Sequence, residues 1–163
     1  MVIISDTTPL ISLLKINRLE LLEKMYKSVI IPQAVYDELT INNRFTDEAE
    51  TIRNCSFLEI CQVADSNSVK LLQETTGLDL GESEAIILSE NMNANLLLMD
   101  EIRGRAVAKA HGLSVIGVVG ILSTAYKLHL LNTKDIQDCI EKLKQNRRHI
   151  GENLLTALLN ETE

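Results

Sequence analysis

The chain has 163 residues, of which 45% are hydrophobic and 24% charged, a balance that is typical of one globular domain. Its 23 acidic residues outnumber its 16 basic ones, and the net charge of −7 argues against a protein whose whole surface binds nucleic acid without specificity. The absence of tryptophan and an aromatic content of 3% argue against a platform on which successive bases stack.

The N-terminal sequence and the hydrophobic runs predict a cytoplasmic protein with no membrane association. Residues 1–6 lack the basic start of a secretory signal, and no apolar run approaches the roughly 20 residues that span a bilayer. The three cysteines, at positions 55, 61 and 139, form no C-x-x-C pair. We therefore expect small, buried thiols in a reducing compartment rather than a zinc site.

Short apolar runs alternate with helical patterns along the chain. The runs suit strands buried on both faces of a sheet, and they lie at residues 2–5, 28–31, 57–63, 96–99 and 113–116. Apolar spacing and capping signals predict helices between and after them, at residues 8–16, 19–26, 32–39, 46–54, 66–76, 79–93, 101–111, 119–130, 133–145 and 152–160. This alternation predicts a parallel sheet with helices on both faces.

Two helix starts carry distinct signals. Thr8 followed by Pro9 predicts the N-cap and the first residue of the first helix. Asp79 and Glu82 have the spacing of a capping box, which favours a structural role for this pair over a catalytic one.

Acidic residues follow two of the predicted strands directly. Asp6 comes after the first strand and Asp100 after the fourth. Because right-handed crossovers place the C-terminal ends of parallel strands along one edge, both carboxylates are expected at that edge. Glu38 and Glu84 lie near the starts of helices that can face it. Oxygen ligands without His or Cys favour Mg²⁺ or Mn²⁺, which would relieve the repulsion among clustered carboxylates.

The charged residues also have ordinary structural interpretations. An aspartate after a strand often begins a turn, and a helical glutamate often faces solvent. Arg103 and Arg105 could contact an RNA backbone, but either could instead form a salt bridge with Asp100. The most basic stretch could likewise contact RNA or be a solvated helix end; it consists of Lys142, Lys144, Arg147, Arg148 and His149.

Four ordered motifs resemble those of the PIN-domain superfamily, in particular its prokaryotic, VapC-toxin-like branch with a G-E-x-E-A motif. The motifs are SDTTPLI at 5–11, IPQAVYDEL at 31–39, LGESEAI at 80–86 and LMDE at 98–101, with Arg105 downstream. The resemblance covers nearly the whole chain. It implies one domain over residues 1–163, a three-layer α/β/α fold with a central, mainly parallel sheet of about five strands. Residues 146–163 are expected to form a C-terminal helical appendage of that domain.

The resemblance also implies an activity, that of an Mg²⁺- or Mn²⁺-dependent ribonuclease whose product carries a 5′-phosphate. The acidic quartet would be Asp6, Glu38, Glu84 and Asp100. Asp6, Glu84 and Asp100 would hold the metal, and Glu38 would orient water. The G-E-x-E-A motif offers two neighbouring acids, so Glu82 could support or replace Glu84, and Glu101 could do the same for Asp100.

The resemblance further implies partners: an RNA substrate, an antitoxin protein and a second copy of the chain in a homodimer. One alternative is a PIN-like binding or assembly module with weak or no nuclease activity. A receiver-like or phosphatase-like domain is a third interpretation, but it needs a lysine after a late strand. Residues 113–117 offer none.

Overall fold

Short strands form a five-stranded sheet at the centre of the molecule. The structure is a computed structural model and describes residues 1–41, 43–146, 148 and 150–162 of the chain. The strands are β1 Ile3–Ser5, β2 Val29–Pro32, β3 Leu58–Cys61, β4 Leu96–Leu98 and β5 Val115–Ile116. Every neighbouring pair is parallel, in the order β3-β2-β1-β4-β5, which confirms the predicted sheet.

Helices connect the strands and continue beyond the last one. Their bounds are α1 Thr7–Lys15, α2 Glu20–Tyr26, α3 Gln33–Thr40, α4 Thr46–Arg53, α5 Ser66–Thr76, α6 Leu80–Asn91, α7 Ile102–Ala110, α8 Val118–Lys127, α9 Thr133–Gln145 and α10 Glu152–Thr162. A short 3₁₀ helix at Asn43–Phe45 precedes α4. Among the helices of the described residues, none combines the length and the apolar character that crossing a bilayer requires.

The buried hydrophobic residues divide into two cores, one on each face of the sheet. Because successive residues of a strand point to opposite faces, Ile3 and Ile4 enter different cores, and so do Leu97 and Leu98. Helices α1, α2, α8, α9 and α10 contribute to the core that contains Ile3, whereas α5, α6 and α7 contribute to the other. The predicted three-layer α/β/α architecture is therefore confirmed.

The strand order reverses its direction between β1 and β4. From β1 the sheet grows to one side through β2 and β3, and from β4 it grows to the other side through β5. Ser5 pairs with Leu98, and the N–H of Asp6 donates to the Leu98 carbonyl oxygen over 2.9 Å. Asp6 and Asp100 thus leave the sheet side by side at a switch point, the place where open α/β sheets bind ligands.

The first helix begins earlier than its sequence predicts. Its N-cap is Asp6, with an extended backbone (φ −78°, ψ 173°), and its first residue is Thr7 instead of Pro9. A proline is tolerated anywhere in the first turn, because the N–H groups there have no partner within the helix. The correction places the Asp6 carboxylate at the start of α1, directly above the end of β1.

The C-terminal helix α10 packs onto α8 and α9. Leu155 and Leu158 are 3% and 1% exposed, whereas Leu154 is 55% exposed. Thr133 Oγ1 and the Tyr126 hydroxyl both donate to the carbonyl oxygen of Thr162, over 2.6 and 3.2 Å. These hydrogen bonds attach the C-terminal end of α10 to α8 and α9.

Candidate functional site

A cleft of about 650 Å³ lies at the C-terminal edge of the sheet, where β1 and β4 end. Six of its lining residues are acidic; we call them the carboxylate group, and they are Asp6, Glu38, Asp79, Glu82, Asp100 and Glu101. A second set comes from α1, the 3₁₀ helix and the α9–α10 connection; we call it the arginine group, and it comprises Ser12, Arg44, Phe45, Arg148 and Ile150. Thr7, Thr8, Ile11 and Ile102 are the remaining lining residues in the part of the chain that the structure describes.

Asp6 is the most buried member of the carboxylate group, at 3% exposed. Burial raises the pKa of its carboxyl well above the usual range of an aspartate, and a hydrogen bond from the Thr7 N–H opposes that shift. The neighbouring carboxylates of Asp79, Glu82 and Glu38 raise the pKa further. Ionised Asp6 is therefore unfavourable unless a cation lies nearby.

The first turn of α6 carries two more carboxylates. Asp79 Oδ1 accepts from the Glu82 N–H over 2.8 Å, and Glu82 Oε2 accepts from the Asp79 N–H over 3.0 Å, so the predicted capping box is confirmed. This turn lies against Asp6, since a Cβ at Gly81 would be in ordinary van der Waals contact, at 3.6 Å, with an oxygen of Asp6 and with one of Asp79. Burial, aided by neighbouring carboxylates, raises the pKa of Glu82. The same pair caps α6 and lines the cleft.

Glu38 reaches the cleft from α3 and is fixed by the start of α1. Its Oε2 accepts a hydrogen bond from Thr7 Oγ1 over 2.8 Å. Thr7 follows Asp6 directly, so this bond joins α3 to the end of β1. It also orients Glu38 beside the other acids.

Asp100 has one oxygen engaged and one without a partner. Its Oδ1 accepts from the N–H of Val118, the first residue of α8, over 2.8 Å. Gly117 makes this approach feasible, because a Cβ there would overlap Oδ1. Among the described residues, the buried Oδ2 finds no hydrogen-bond partner. Burial raises the pKa of Asp100, although the Val118 N–H and the charges of Arg105 and Arg148 lower it.

Glu84 points away from this group. Its Oε2 accepts from the Ala34 N–H over 3.0 Å, in the first turn of α3, where the N-cap residue Pro32 provides no side-chain cap. Glu84 is not among the described residues that line the cleft. Two positions apart on a helix, side chains do not share a face. The structure therefore brings Glu82, and not Glu84, to Asp6 and Asp100.

The arginines that follow Asp100 also lie outside the cleft lining. Arg103 is exposed, and its guanidinium covers Gly77, with Nη2 3.1 Å from the position that a Cβ would take there. Arg105 Nη1 donates to the Met99 carbonyl oxygen over 3.4 Å, and its charge lowers the pKa of Asp100. Arg105 thus supports Asp100 from outside the cleft.

The basic stretch after α9 is divided by the fold. Lys142 pairs with Asp138 over 3.1 Å and Lys144 with Glu152 over 3.6 Å, as on a solvated helix end. Arg147 and His149 lie outside the described residues.

Arg148, by contrast, is half-buried and enters the cleft. Its Nε donates to Ser12 Oγ over 3.0 Å. Burial lowers the pKa of the guanidinium, whereas Asp100 and Glu101 raise it through their charge. In the same group, the guanidinium of Arg44 lies 5.4 Å from the ring centre of Phe45.

The carboxylate group fits a hard divalent cation by its chemistry. All six side chains offer oxygen ligands, the kind that Mg²⁺ and Mn²⁺ prefer, and Asp100 Oδ2 is a buried acceptor without a donor. Within the described ranges, no three Asp, Glu, His or Cys side chains already converge as a metal-binding set. The acids therefore share a cleft without forming a closed shell, and their side chains would have to move to coordinate one ion together.

The sequence does not reveal most of the arginine group. Ser12, Arg44, Phe45 and Ile150 carry no motif, and only Arg148 stands out by its charge. The spacing of Asp79 indicates solely a capping residue. The sequence nevertheless contains a second signal for Asp79. A helix that starts at the sheet edge places its N-cap residue at that edge, so the capping signal also predicts that Asp79 lies near the site.

The comparisons with known proteins agree with this arrangement. A family model described as "DUF3368: PIN domain" matches residues 2–163. No curated protein shows a significant match to the chain. PIN domains have a nuclease-type fold, are generally nucleases and typically use divalent metals. The match covers nearly the whole chain, and the fold is a five-stranded parallel sheet with acidic residues at one edge. The chain therefore belongs to the PIN-domain family.

Proposed function

We propose that this PIN domain is an Mg²⁺- or Mn²⁺-dependent ribonuclease that hydrolyses RNA phosphodiesters in the cleft. The observation that carries the proposal is the meeting of six carboxylates at the β1–β4 switch point, one of which keeps a buried oxygen unpaired. Like charges are expensive to gather in a partly buried site. A cation offsets that cost, which gives the cluster a reason to exist.

We assign the metal-holding role to Asp6, Glu82 and Asp100. Asp6 and Asp100 leave adjacent strands, and Glu82 comes from the first turn of α6, which lies against Asp6. Asp79 and Glu101 are close enough to add negative charge. In this assignment Glu84 instead stabilises the start of α3.

A bound Mg²⁺ or Mn²⁺ would polarise a phosphoryl oxygen and make a water molecule a better nucleophile. Glu38, oriented by Thr7 Oγ1, is placed to position the attacking water and accept its proton. Attack at phosphorus forms a new P–O bond as the P–O3′ bond breaks, and the departing 3′-oxygen takes a proton from solvent. The products are a 5′-phosphate on one fragment and a 3′-hydroxyl on the other.

The direct test is cleavage of single-stranded and structured RNA in Mn²⁺ by the wild type, Asp6→Asn and Asp100→Asn. Each substitution keeps the side-chain shape and removes a charged ligand, so we expect at least an approximately 100-fold loss of cleavage. Asp47→Asn is the matched control, because Asp47 is exposed on α4 and does not line the cleft. It should retain wild-type cleavage.

Equal cleavage by the wild type, Asp6→Asn and Asp100→Asn would mean that the cleft acids do not perform the chemistry. RNA binding without cleavage by any variant would instead favour a PIN-like binding or assembly module. The length and end groups of the products check the predicted 5′-phosphate.

We propose a toxin–antitoxin setting on the basis of the VapC-like motifs. A small neighbouring reading frame that encodes a DNA-binding protein would support this setting, and co-expression of the two proteins should abolish RNA cleavage. A homodimer is proposed on the same basis. Light scattering of the purified chain distinguishes it from a monomer.

A further inference from the structure

We propose that Arg148 binds the phosphate of the RNA strand beside Asp100 and Glu101, and that Ser12 positions it there. This inference rests on the proposed ribonuclease function and names the residue that brings an anionic substrate to an acidic site. The six carboxylates make the cleft electronegative, and a bound cation would offset only part of that charge. A positive side chain in the same cleft would reduce the remaining repulsion of an RNA phosphate.

The placement of Arg148 suits this role. It lies in the connection between α9 and α10, outside any helix, yet its side chain is half-buried and lines the cleft. Asp100 and Glu101 line the same cleft, and their negative charges raise the pKa of the Arg148 guanidinium.

The hydrogen bond to Ser12 fixes the orientation of this guanidinium. Nε donates to the hydroxyl of Ser12, which is 1% exposed on α1. A guanidinium carries its remaining N–H donors on the two Nη atoms, in a planar fork that suits phosphate oxygens. Because Asp6 is the N-cap of α1, one helix links the position of Arg148 to that of the central carboxylate.

The charged form of Arg148 is held against the cost of partial burial. Burial acts against it, whereas the charges of Asp100 and Glu101 favour it. A charged group that is partly desolvated beside acids, in a cleft open enough for a ligand, is typical of a functional site.

The test compares Arg148→Ala, Arg148→Lys, Ser12→Ala and Lys70→Ala. The first measurement is the affinity for a labelled RNA oligonucleotide in EDTA, where no metal-dependent cleavage interferes. We expect Arg148→Ala to weaken RNA binding about 10- to 100-fold, and Arg148→Lys to restore it in part, because lysine lacks the planar fork. Ser12→Ala should give an intermediate loss. Lys70, exposed on α5 and outside the lining, controls for the loss of one positive charge.

The second measurement is Mn²⁺ affinity without RNA. Removing a positive charge beside Asp100 should leave Mn²⁺ binding unchanged or tighter, whereas a collapse of the cleft would weaken Mn²⁺ and RNA binding together. If Arg148→Ala misfolds, as a lowered melting temperature would show, Arg148→Lys and Ser12→Ala still decide the question.

The inference is overturned if Arg148→Ala binds RNA as well as the wild type, or if it cleaves RNA faster, which would make Arg148 an internal blocker of the cleft. It is also overturned if Arg148→Lys and Ser12→Ala both leave RNA binding unchanged. Wild-type protein that binds RNA through Arg148 but does not cleave it in Mn²⁺ would contradict the ribonuclease proposal alone.

Discussion

The two sets of residues that line the cleft are built in different ways. Except for Glu38, which lies in the second half of α3, the carboxylate group stands at strand ends and helix starts, where the hydrogen bonds of the sheet and of a capping box fix the backbone. The arginine group comes from the interior of α1, a 3₁₀ helix and the segment between α9 and α10. Strands and helices thus position the acids, whereas Arg44 and Arg148 enter the cleft from outside the α-helices and strands.

The largest expected contrast lies within α6, between Glu82 and Glu84. Glu82→Gln removes a charge from the carboxylate group, and we expect RNA cleavage in Mn²⁺ to fall at least about 100-fold. Glu84→Gln leaves the cleft intact, so its rate of RNA cleavage should stay within about threefold of the wild-type rate. The substitution weakens the hydrogen bond from the Ala34 N–H to residue 84, and we expect this to lower the unfolding free energy by about 1 kcal/mol.

Urea denaturation and RNA cleavage assays on both variants measure these two effects. The reverse pattern, with Glu84→Gln inactive and Glu82→Gln active, would assign Glu84 to the site and contradict the division of roles between the two glutamates.

The second expected effect concerns the backbone that supports Asp100. Gly117→Ala would place a methyl group on Asp100 Oδ1, which must move away from the Val118 N–H. We expect a loss of about 1–3 kcal/mol in unfolding free energy, as is typical of overpacking, together with a fall in cleavage. Gly151→Ala is the matched control, since nothing lies within 4 Å of a Cβ there. A Gly117→Ala variant with full stability and full activity would show that Asp100 needs no such close support.

The third effect is a pH dependence of stability that arises from burial of the acids. Burial raises the pKa of Asp6 in the folded protein above the value of about 3.9 for an unfolded chain. The folded state then binds more protons between these two values, so the unfolding free energy of the metal-free protein falls as pH rises through that window. Asp6→Asn lacks this charge and should lose less stability over the same range.

Thermal melts in EDTA at a series of pH values compare the two proteins. The stability advantage of Asp6→Asn should grow as pH rises and shrink when Mn²⁺ is added to both. A constant difference at every pH would show that the Asp6 carboxyl is not perturbed by burial.

The smallest effect is expected at Arg103, which carries the same charge as Arg148 but lies outside the arginine group. Arg103→Ala should change RNA cleavage by less than about threefold, because an exposed charge is screened by salt and contributes little. Kinetic assays at moderate ionic strength measure it beside Arg148→Ala. If Arg103→Ala lost as much RNA cleavage as Arg148→Ala, the RNA-binding surface would have to include α7.

The sequence predicts the parts of the molecule that local rules determine. Buried strands are recognisable by their apolar residues, and parallel topology then places Asp6 and Asp100 at one edge without further information. The capping-box spacing of Asp79 and Glu82 is also readable, and it correctly predicts the start of the helix after Gly77.

The remaining features depend on contacts between distant segments. Whether Glu82 or Glu84 faces the cleft depends on the rotation of α6 against α3, and the sequence of α6 alone does not determine it. Pro9 suggests the wrong first residue for α1, because a proline is tolerated at several positions of a first turn. Arg148 reaches Ser12 across 136 positions of the chain, which no local pattern reveals.

The most direct test of the central claim is an Mn²⁺ titration of the wild type and Asp100→Asn in the absence of RNA. If the carboxylate group holds a divalent cation, the wild type binds Mn²⁺ and Asp100→Asn binds it at least about 10-fold more weakly, because the buried oxygen without a partner is lost as an anionic ligand. Equal Mn²⁺ affinity for both proteins, or no binding by the wild type, would contradict a metal-holding role for these acids.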